Sequence, residues 1–280
     1  MKRFLRALGL VVFFNVLYGL FYLLLELASP YFPGIQRRDV AQVLTPWFSL
    51  IAVIAATYVM LRLIEKRPWS DVGLDAHAAR PRLVAGGALL GGLMIGLASL
   101  FLLAIHQLRI ARGLPGSWLG SAAYSFAVLL PAGFFEELFI RGYVFAVIRR
   151  SAGWRIALIV TSAVFGVLHA WNPGADAESI LAVTVAGFFL GALFLATGSL
   201  YATGAAHVAW NWVMAAALHT PVSGIPVSQP DYTMVDVGPD WLTGGRWGPE
   251  GGIAAVAAMF IVIFYLYGRY LRSANLELPA

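Results

Sequence analysis

The sequence predicts an all-α polytopic membrane protein, with about eight transmembrane helices around an intramembrane polar cavity. Three observations carry this expectation. The chain of 280 residues is 60% hydrophobic and only 12% charged, with a mean hydropathy of +0.78. Soluble domains carry roughly twice that charged fraction. Apolar runs of about 20 residues, the length that crosses a bilayer, recur along the whole chain. Inside one of them stand two adjacent glutamates, Glu136 and Glu137, with no charged residue between them and Arg112. Charge at that depth is costly and marks a functional site.

The first apolar run follows Met1-Lys2-Arg3-Phe4-Leu5-Arg6 and continues to about Leu27. It is too long for the apolar region of a signal peptide, and no clean small-residue cleavage site follows. We read it as a retained span at about 5–27. Further spans are expected at about 43–64, 83–106, 119–148, 155–172, 179–198, 201–219 and 252–271. In the third, Gly87-x-x-x-Gly91 and Gly92-x-x-x-Gly96 predict close helix packing. The fourth is long enough to tilt or to begin outside the bilayer. Gly198 and Gly204 flank a tight turn, so the sixth and seventh form a hairpin dipping into the membrane.

Lysine and arginine bias sets the orientation. With the N-terminus in the cytoplasm, 13 of the 19 basic residues fall on the inner side, five on the outer, and Arg141 within the membrane. Both termini are therefore expected in the cytoplasm, in a bacterial inner membrane. The long connection 220–251, rich in Pro and Gly, is then extracytoplasmic, and a solvated loop is expected there rather than a lid. The net charge of +5 and pI of about 9.6 are assigned to anionic lipid, since no basic stripe interleaved with aromatics suggests nucleic acid. The chain has no cysteine, which excludes disulfides, thiolate metal sites and cysteine nucleophiles.

The polar residues within the apolar runs converge. Glu137 and Arg141 are four apart on one helix face and can pair, which offsets the cost of burying both. Glu136 is turned about 100° away and has no local cation, which suits a proton-shuttling general base and acid. Glu136 lies about 20 Å from the cytoplasmic end of its span, and His169 about 21 Å from the same side, at 1.5 Å per residue. His207 and Asn211 share one face of the seventh span. The site residues are thus Glu136, Glu137, Arg141, His169, His207 and Asn211, around a water-filled pocket expected to open to the cytoplasm. His77, His106 and His219 lie near span ends or in loops and are given no role. Phe134, Phe135, Phe139 and Phe165 are read as packing or lipid-facing.

Glu136-Glu137-x-x-x-Arg141, Phe165-x-x-x-His169 and His207-x-x-x-Asn211, in that order, resemble the CPBP family of intramembrane proteases. This family includes CAAX prenyl endopeptidases and bacteriocin-processing or self-immunity proteins. Trp69-Ser70-Asp71-Val72-Gly73-Leu74 and Thr197-Gly198-Ser199-Leu200 are similar to two weaker family features. The resemblance is strong over 119–215, taken as the catalytic core of one integral-membrane domain, 1–280. It implies an endopeptidase acting on a membrane-associated peptide or protein substrate, prenylated or carrying a leader. Glu136, with His169, activates water. His207 and Asn211 bind the oxyanion, and Glu137 with Arg141 supports them. The family's description as metalloproteases implies a possible zinc ion, with Glu136, His169 and His207 as candidate ligands. No His-Glu-x-x-His signature is present. The alternatives are a non-catalytic membrane scaffold or self-immunity protein and, less favoured for want of an internal repeat, a transporter.

Overall fold

The computed structural model of the protein describes residues 2–31, 34–35, 37–113, 115–227 and 230–276, with side chains as far as Arg272. Helix α1 is Lys2–Ala28. Helix α2, Arg38–Tyr58, runs on into a π-helical stretch, Val59–Ile64. Helix α3 is Pro81–Ala104. Helix α4, Trp118–Glu137, continues through a second π-helical stretch, Leu138–Val144, into α5, Phe145–Ala152. Helices α6, Trp154–Leu168, and α7, Ala177–Thr197, follow. Helix α8, Leu200–Trp212, is extended by a third π-helical stretch, Val213–Leu218. The short α9, Asp240–Thr243, precedes α10, Ile253–Leu276.

Among the described residues, seven helices are long and apolar enough to cross a membrane, and the protein is an integral membrane protein. The seventh expected span, 201–219, is helical from Leu200 to Leu218 but is not in that set. Its His207 and Asn211 lower its hydropathy, which a helix tolerates when protein rather than lipid surrounds it. Helix α8 packs chiefly on α3 and α4, and also on α7. Nine of its 13 residues are buried, against two of 27 in α1. The helix bearing the most polar groups is thus the central one.

Small residues make this centre possible. A Cβ on Gly87 or Gly91 of α3 would collide with the backbone carbonyls of Ala202 and Ala206 on α8. Gly92 only touches the Val213 side chain at ordinary distance, and nothing lies within 4 Å of a Cβ at Gly96. Of the two spaced glycine pairs, therefore, only the first marks a close helix contact.

The two weaker sequence features meet in space. The Leu200 N–H donates to the Gly73 carbonyl at 2.9 Å, and the Ser199 hydroxyl to the Ala78 carbonyl at 2.5 Å. Gly73 has φ of 69°, and a Cβ there would lie 2.7 Å from the Gly198 carbonyl oxygen. Ser199 also N-caps α8 by accepting from the Ala202 N–H at 3.0 Å, one of the orphan donors of a helix start. The segment 69–74 thereby anchors the first turn of α8.

The segment 220–251 is not the solvated loop expected. Its strand β2, Tyr232–Asp236, pairs antiparallel with β1, Leu108–Arg112, in the register Leu108↔Asp236 to Arg112↔Tyr232. The His219 ring stacks on Tyr232 at 3.9 Å between centroids, and Trp247 is fully enclosed. The β-branched and aromatic run Tyr232-Thr233-Met234-Val235 was the available signal for a strand. It was outweighed by the surrounding Pro and Gly.

Two outcomes test this packing. Gly91→Leu is expected to destabilise by at least the ~1–3 kcal/mol of an overpacked core, whereas Gly96→Leu leaves the melting temperature in detergent nearly unchanged. At the start of α7, Asp176 accepts from the Ser179 N–H at 2.8 Å in a reciprocal capping box. That backbone bond, helped by the Ser179 hydroxyl, holds its carboxyl below the usual range. Asp176→Ala should cost ~1 kcal/mol at neutral pH. Because the folded value is depressed, the contribution is complete above the ordinary aspartate value of about 4. It is lost as pH falls through the folded value, so the melting-temperature gap between wild type and variant should close at acidic pH.

Candidate active site

The site is assembled from α4, α6, α7 and α8. Glu137 and Arg141 have no exposed side-chain surface. Arg141 donates through Nη1 to Glu137 Oε1 at 2.9 Å and through Nη2 to the Gly187 carbonyl of α7 at 3.1 Å. Its guanidinium lies 4.2 Å from the centroid of the Phe165 ring. One cation thus satisfies a carboxylate, a carbonyl and an aromatic face, as the planar guanidinium fork allows.

Glu137 Oε1 also meets His207 Nδ1 at 3.0 Å. A carboxylate already accepting from arginine can only accept again, so the imidazole carries its proton on Nδ1. His169 is fixed in the same sense. At the end of α6 its backbone N–H turns to the Gly166 carbonyl. The Phe165 carbonyl is left to the ring, with Nδ1 at 2.8 Å. A carbonyl accepts, so Nδ1 donates here as well. Each second nitrogen, Nε2, is then free.

Both free nitrogens face one atom. Glu136 Oε2 lies 3.8 Å from His169 Nε2 and 3.8 Å from His207 Nε2. These separations are too long for hydrogen bonds and suit a small species placed off the line between the groups. Glu136 Oε2 is itself buried and has no hydrogen-bond partner among the described residues, although its side chain is 32% exposed overall. The adjacent glutamates therefore separate as their rotation on the helix predicts. Glu137 faces Arg141, and Glu136 faces the imidazoles.

A cavity of about 30 Å³ adjoins the two imidazoles, lined by His169, His207, Asn211, Trp210, Ser223 and Glu250 among others but not by Glu136. It has room for water. Asn211 shares the His207 face, and its side chain makes no hydrogen bond among the described residues, leaving its amide N–H groups free for a ligand. The cavity was expected to open toward the cytoplasmic face. Its lining instead includes Ser223 and Glu250 of the 220–251 segment and no residue of the face that carries Arg149 and Arg150.

Sequence reasoning missed several participants. Glu250 Oε1 accepts from the Ser223 N–H and hydroxyl at 2.6 and 2.9 Å, and Oε2 accepts from the Trp210 indole at 2.9 Å. That carboxylate pins the outer segment to α8. A glutamate in a Gly- and Pro-rich stretch gave no sign of this. Phe165, read as packing or lipid-facing, is buried between Arg141 and the two imidazoles, with ring centroids 4.7 Å from His169 and 5.9 Å from His207. Its one-turn spacing from His169, already part of the second motif, was the signal that it belongs with the site. The π-helical stretch Leu138–Val144, directly after Glu137, was also not foreseen. Single wide turns of this kind cluster at functional sites.

A zinc ion held by Glu136, His169 and His207 would need their donors at about 2.0–2.2 Å from one point. Among the described residues no three His, Cys, Asp or Glu side chains are gathered closely enough to hold a metal. The 3.8 Å separations are wider than the ~3.4 Å between ligands of a tetrahedral site with such bonds. As placed, the three do not form a metal-holding group, and no chemical step is derived through one.

The fold is a bundle of membrane helices that brings carboxylates, imidazoles and an amide together. Residues 117–213 match the family described as Rce1-like, type II CAAX prenyl endopeptidase Rce1-like. The matched stretch holds all six expected site residues, and the resemblance to the CPBP family is borne out. Over those residues the chain is similar to CAAX-type intramembrane proteases. A search of the curated proteins finds no match.

The buried pair gives a direct test. Arg141→Ala leaves Glu137 uncompensated and is expected to cost about 3–5 kcal/mol. It should be read as a large fall in melting temperature, with a smaller fall for Phe165→Leu, which keeps the ion pair.

Proposed function

We propose that this protein is an endopeptidase that hydrolyses a peptide bond of a membrane-associated substrate, of the prenylated CAAX or leader-peptide type. The core lies within 119–215, and the water is activated by Glu136 and His169. The observation that carries this reading is the meeting of Glu136 Oε2 with two imidazole Nε2 atoms at 3.8 Å, beside a cavity with room for water. Glu136 removes a proton from that water as it attacks the scissile carbonyl. His169 Nε2, unprotonated because Nδ1 is committed to the Phe165 carbonyl, orients it. Glu136 then returns the proton to the leaving amine.

His207 and Asn211 hold the oxyanion. For His207 to donate through Nε2 while Nδ1 stays with Glu137, the ring must be an imidazolium. Glu137 stabilises that cation, much as a buried carboxylate supports a catalytic histidine. Arg141 keeps Glu137 ionised for this task and is a positioning residue. The Asn211 side-chain amide supplies the second donor. A bacterial inner-membrane location with both termini cytoplasmic is supported by the lysine and arginine bias.

The test is cleavage of prenylated CAAX peptides and membrane-tethered peptides by purified protein in detergent. Glu136→Ala and His169→Ala should abolish turnover without lowering the melting temperature. Asn211→Ala should lower the rate by ~10²–10³, and a strong zinc chelator should leave it intact. Cleavage that survives both Glu136→Ala and His169→Ala would refute the assignment. Loss on chelation, restored by zinc, would move Glu136, His169 and His207 from water activation to metal ligation.

A further inference from the structure

A second cavity lies far from the site, on the face where the chain begins. Its volume is about 180 Å³, and it is lined by Arg3, Arg6, Ala7 and Leu10 of α1, Glu65 and Arg67 after α2, and Val147, Arg150 and Ser151 of α5. Four arginines from three separate segments therefore face one space with a single carboxylate.

That carboxylate is already engaged. Glu65 accepts from the Tyr143 hydroxyl at 2.7 Å and from Arg150 at 2.9 Å, and its side chain is mostly covered. Arg67 pairs with Asp71 at 2.9 Å. Arg3 and Arg6 have no carboxylate partner among the described residues, so their charge is left for a ligand. They sit three apart at the start of α1, with Ala7 and Leu10 completing the same helix face. The positive end of that helix dipole adds to them.

The lining is graded as well as charged. Beside the arginines the lining has an apolar part made by Ala7, Leu10 and Val147. The opposite face of α1 exposes Leu5, Leu8 and Val12, as a helix bordering lipid does. A free phosphate has no use for the apolar part of the lining, whereas a lipid matches both parts. Basic pockets between membrane helices at the inner face bind anionic headgroups for this reason.

We propose that this cavity binds the phosphoryl headgroup of an anionic membrane lipid, with Arg3 and Arg6 clamping the phosphate and the Arg67–Arg150 side closing around it. The site holds the first turn of α1, which buries little else, against α5 and the end of α2. It is independent of the hydrolytic chemistry.

The test uses full-length protein in an uncharged detergent, with native mass spectrometry and thermal unfolding in parallel. Dioleoyl phosphatidylglycerol should be retained and should raise the melting temperature. Dioleoyl phosphatidylcholine, whose phosphate is neutralised by choline, should do so weakly. Glycerol 3-phosphate, which lacks acyl chains, should have no effect at the same concentration. The double variant R3Q/R6Q should lose about thirtyfold in phosphatidylglycerol affinity, at roughly 1 kcal/mol per basic residue. Should the double variant fail to fold, R3Q and R6Q singly carry the test, with about fivefold each. R109Q/R112Q, on the far side of the molecule, removes the same net charge and should change nothing.

Phosphatidylglycerol binding unaltered by R3Q/R6Q, or reduced equally by R109Q/R112Q, would overturn the site. Equal retention of phosphatidylcholine would overturn the preference for anionic lipid. A shift with glycerol 3-phosphate as large as with phosphatidylglycerol would overturn its assignment to lipid.

Discussion

The buried pair of Glu137 and Arg141 is the constraint around which the rest is arranged. Two full charges with no exposed surface need partners inside the protein, and most of their polar atoms have one, Glu137 Oε2 and Arg141 Nε being without a hydrogen bond among the described residues. The partners come from different helices. The Gly187 carbonyl on α7 accepts from the guanidinium, Phe165 on α6 presents its ring, and His207 on α8 shares the carboxylate. Removing any one helix would leave a charge facing hydrocarbon. The pair therefore selects the mutual placement of α4, α6, α7 and α8, and the same contacts fix the Nδ1 tautomer of His207.

A polar helix at the centre needs cover, and the cover is close because the residues are small. Gly87 and Gly91 bring α3 against the backbone of α8, so that α8 meets protein where a lipid-exposed helix would meet acyl chains. Three helices change to wider π-helical turns, after Tyr58, Glu137 and Trp212. The second of these follows Glu137 directly, so the wide turn begins where the buried charges are packed.

Much of this was legible in the sequence because membranes simplify the code. Length and hydropathy locate spans, and charge in an apolar run is rare enough to mark a site. The separate directions of Glu136 and Glu137 followed from helix rotation alone. The failures are equally physical. The wall of the cavity belongs to Ser223 and Glu250, whose segment carries ordinary turn residues and no periodic pattern. Phe165 stood in a motif with His169, but its contact with Arg141 joins residues of different helices, which spacing along one helix does not reveal. Hydropathy ranks α8 below the other spans because it cannot know that protein surrounds that helix. Depth was counted from one end of the spans only, which gave no account of the residues from 220–251 that line the cavity.

The tethering of Glu250 has a consequence for rigidity. One carboxylate grips the Trp210 indole and the Ser223 N–H and hydroxyl, and all three residues line the water-sized cavity beside His207 and Asn211. The segment 220–251 and α8 therefore share one wall. A displacement of either is felt by the other, so that the shape of the cavity depends on a stretch of chain far from it in sequence.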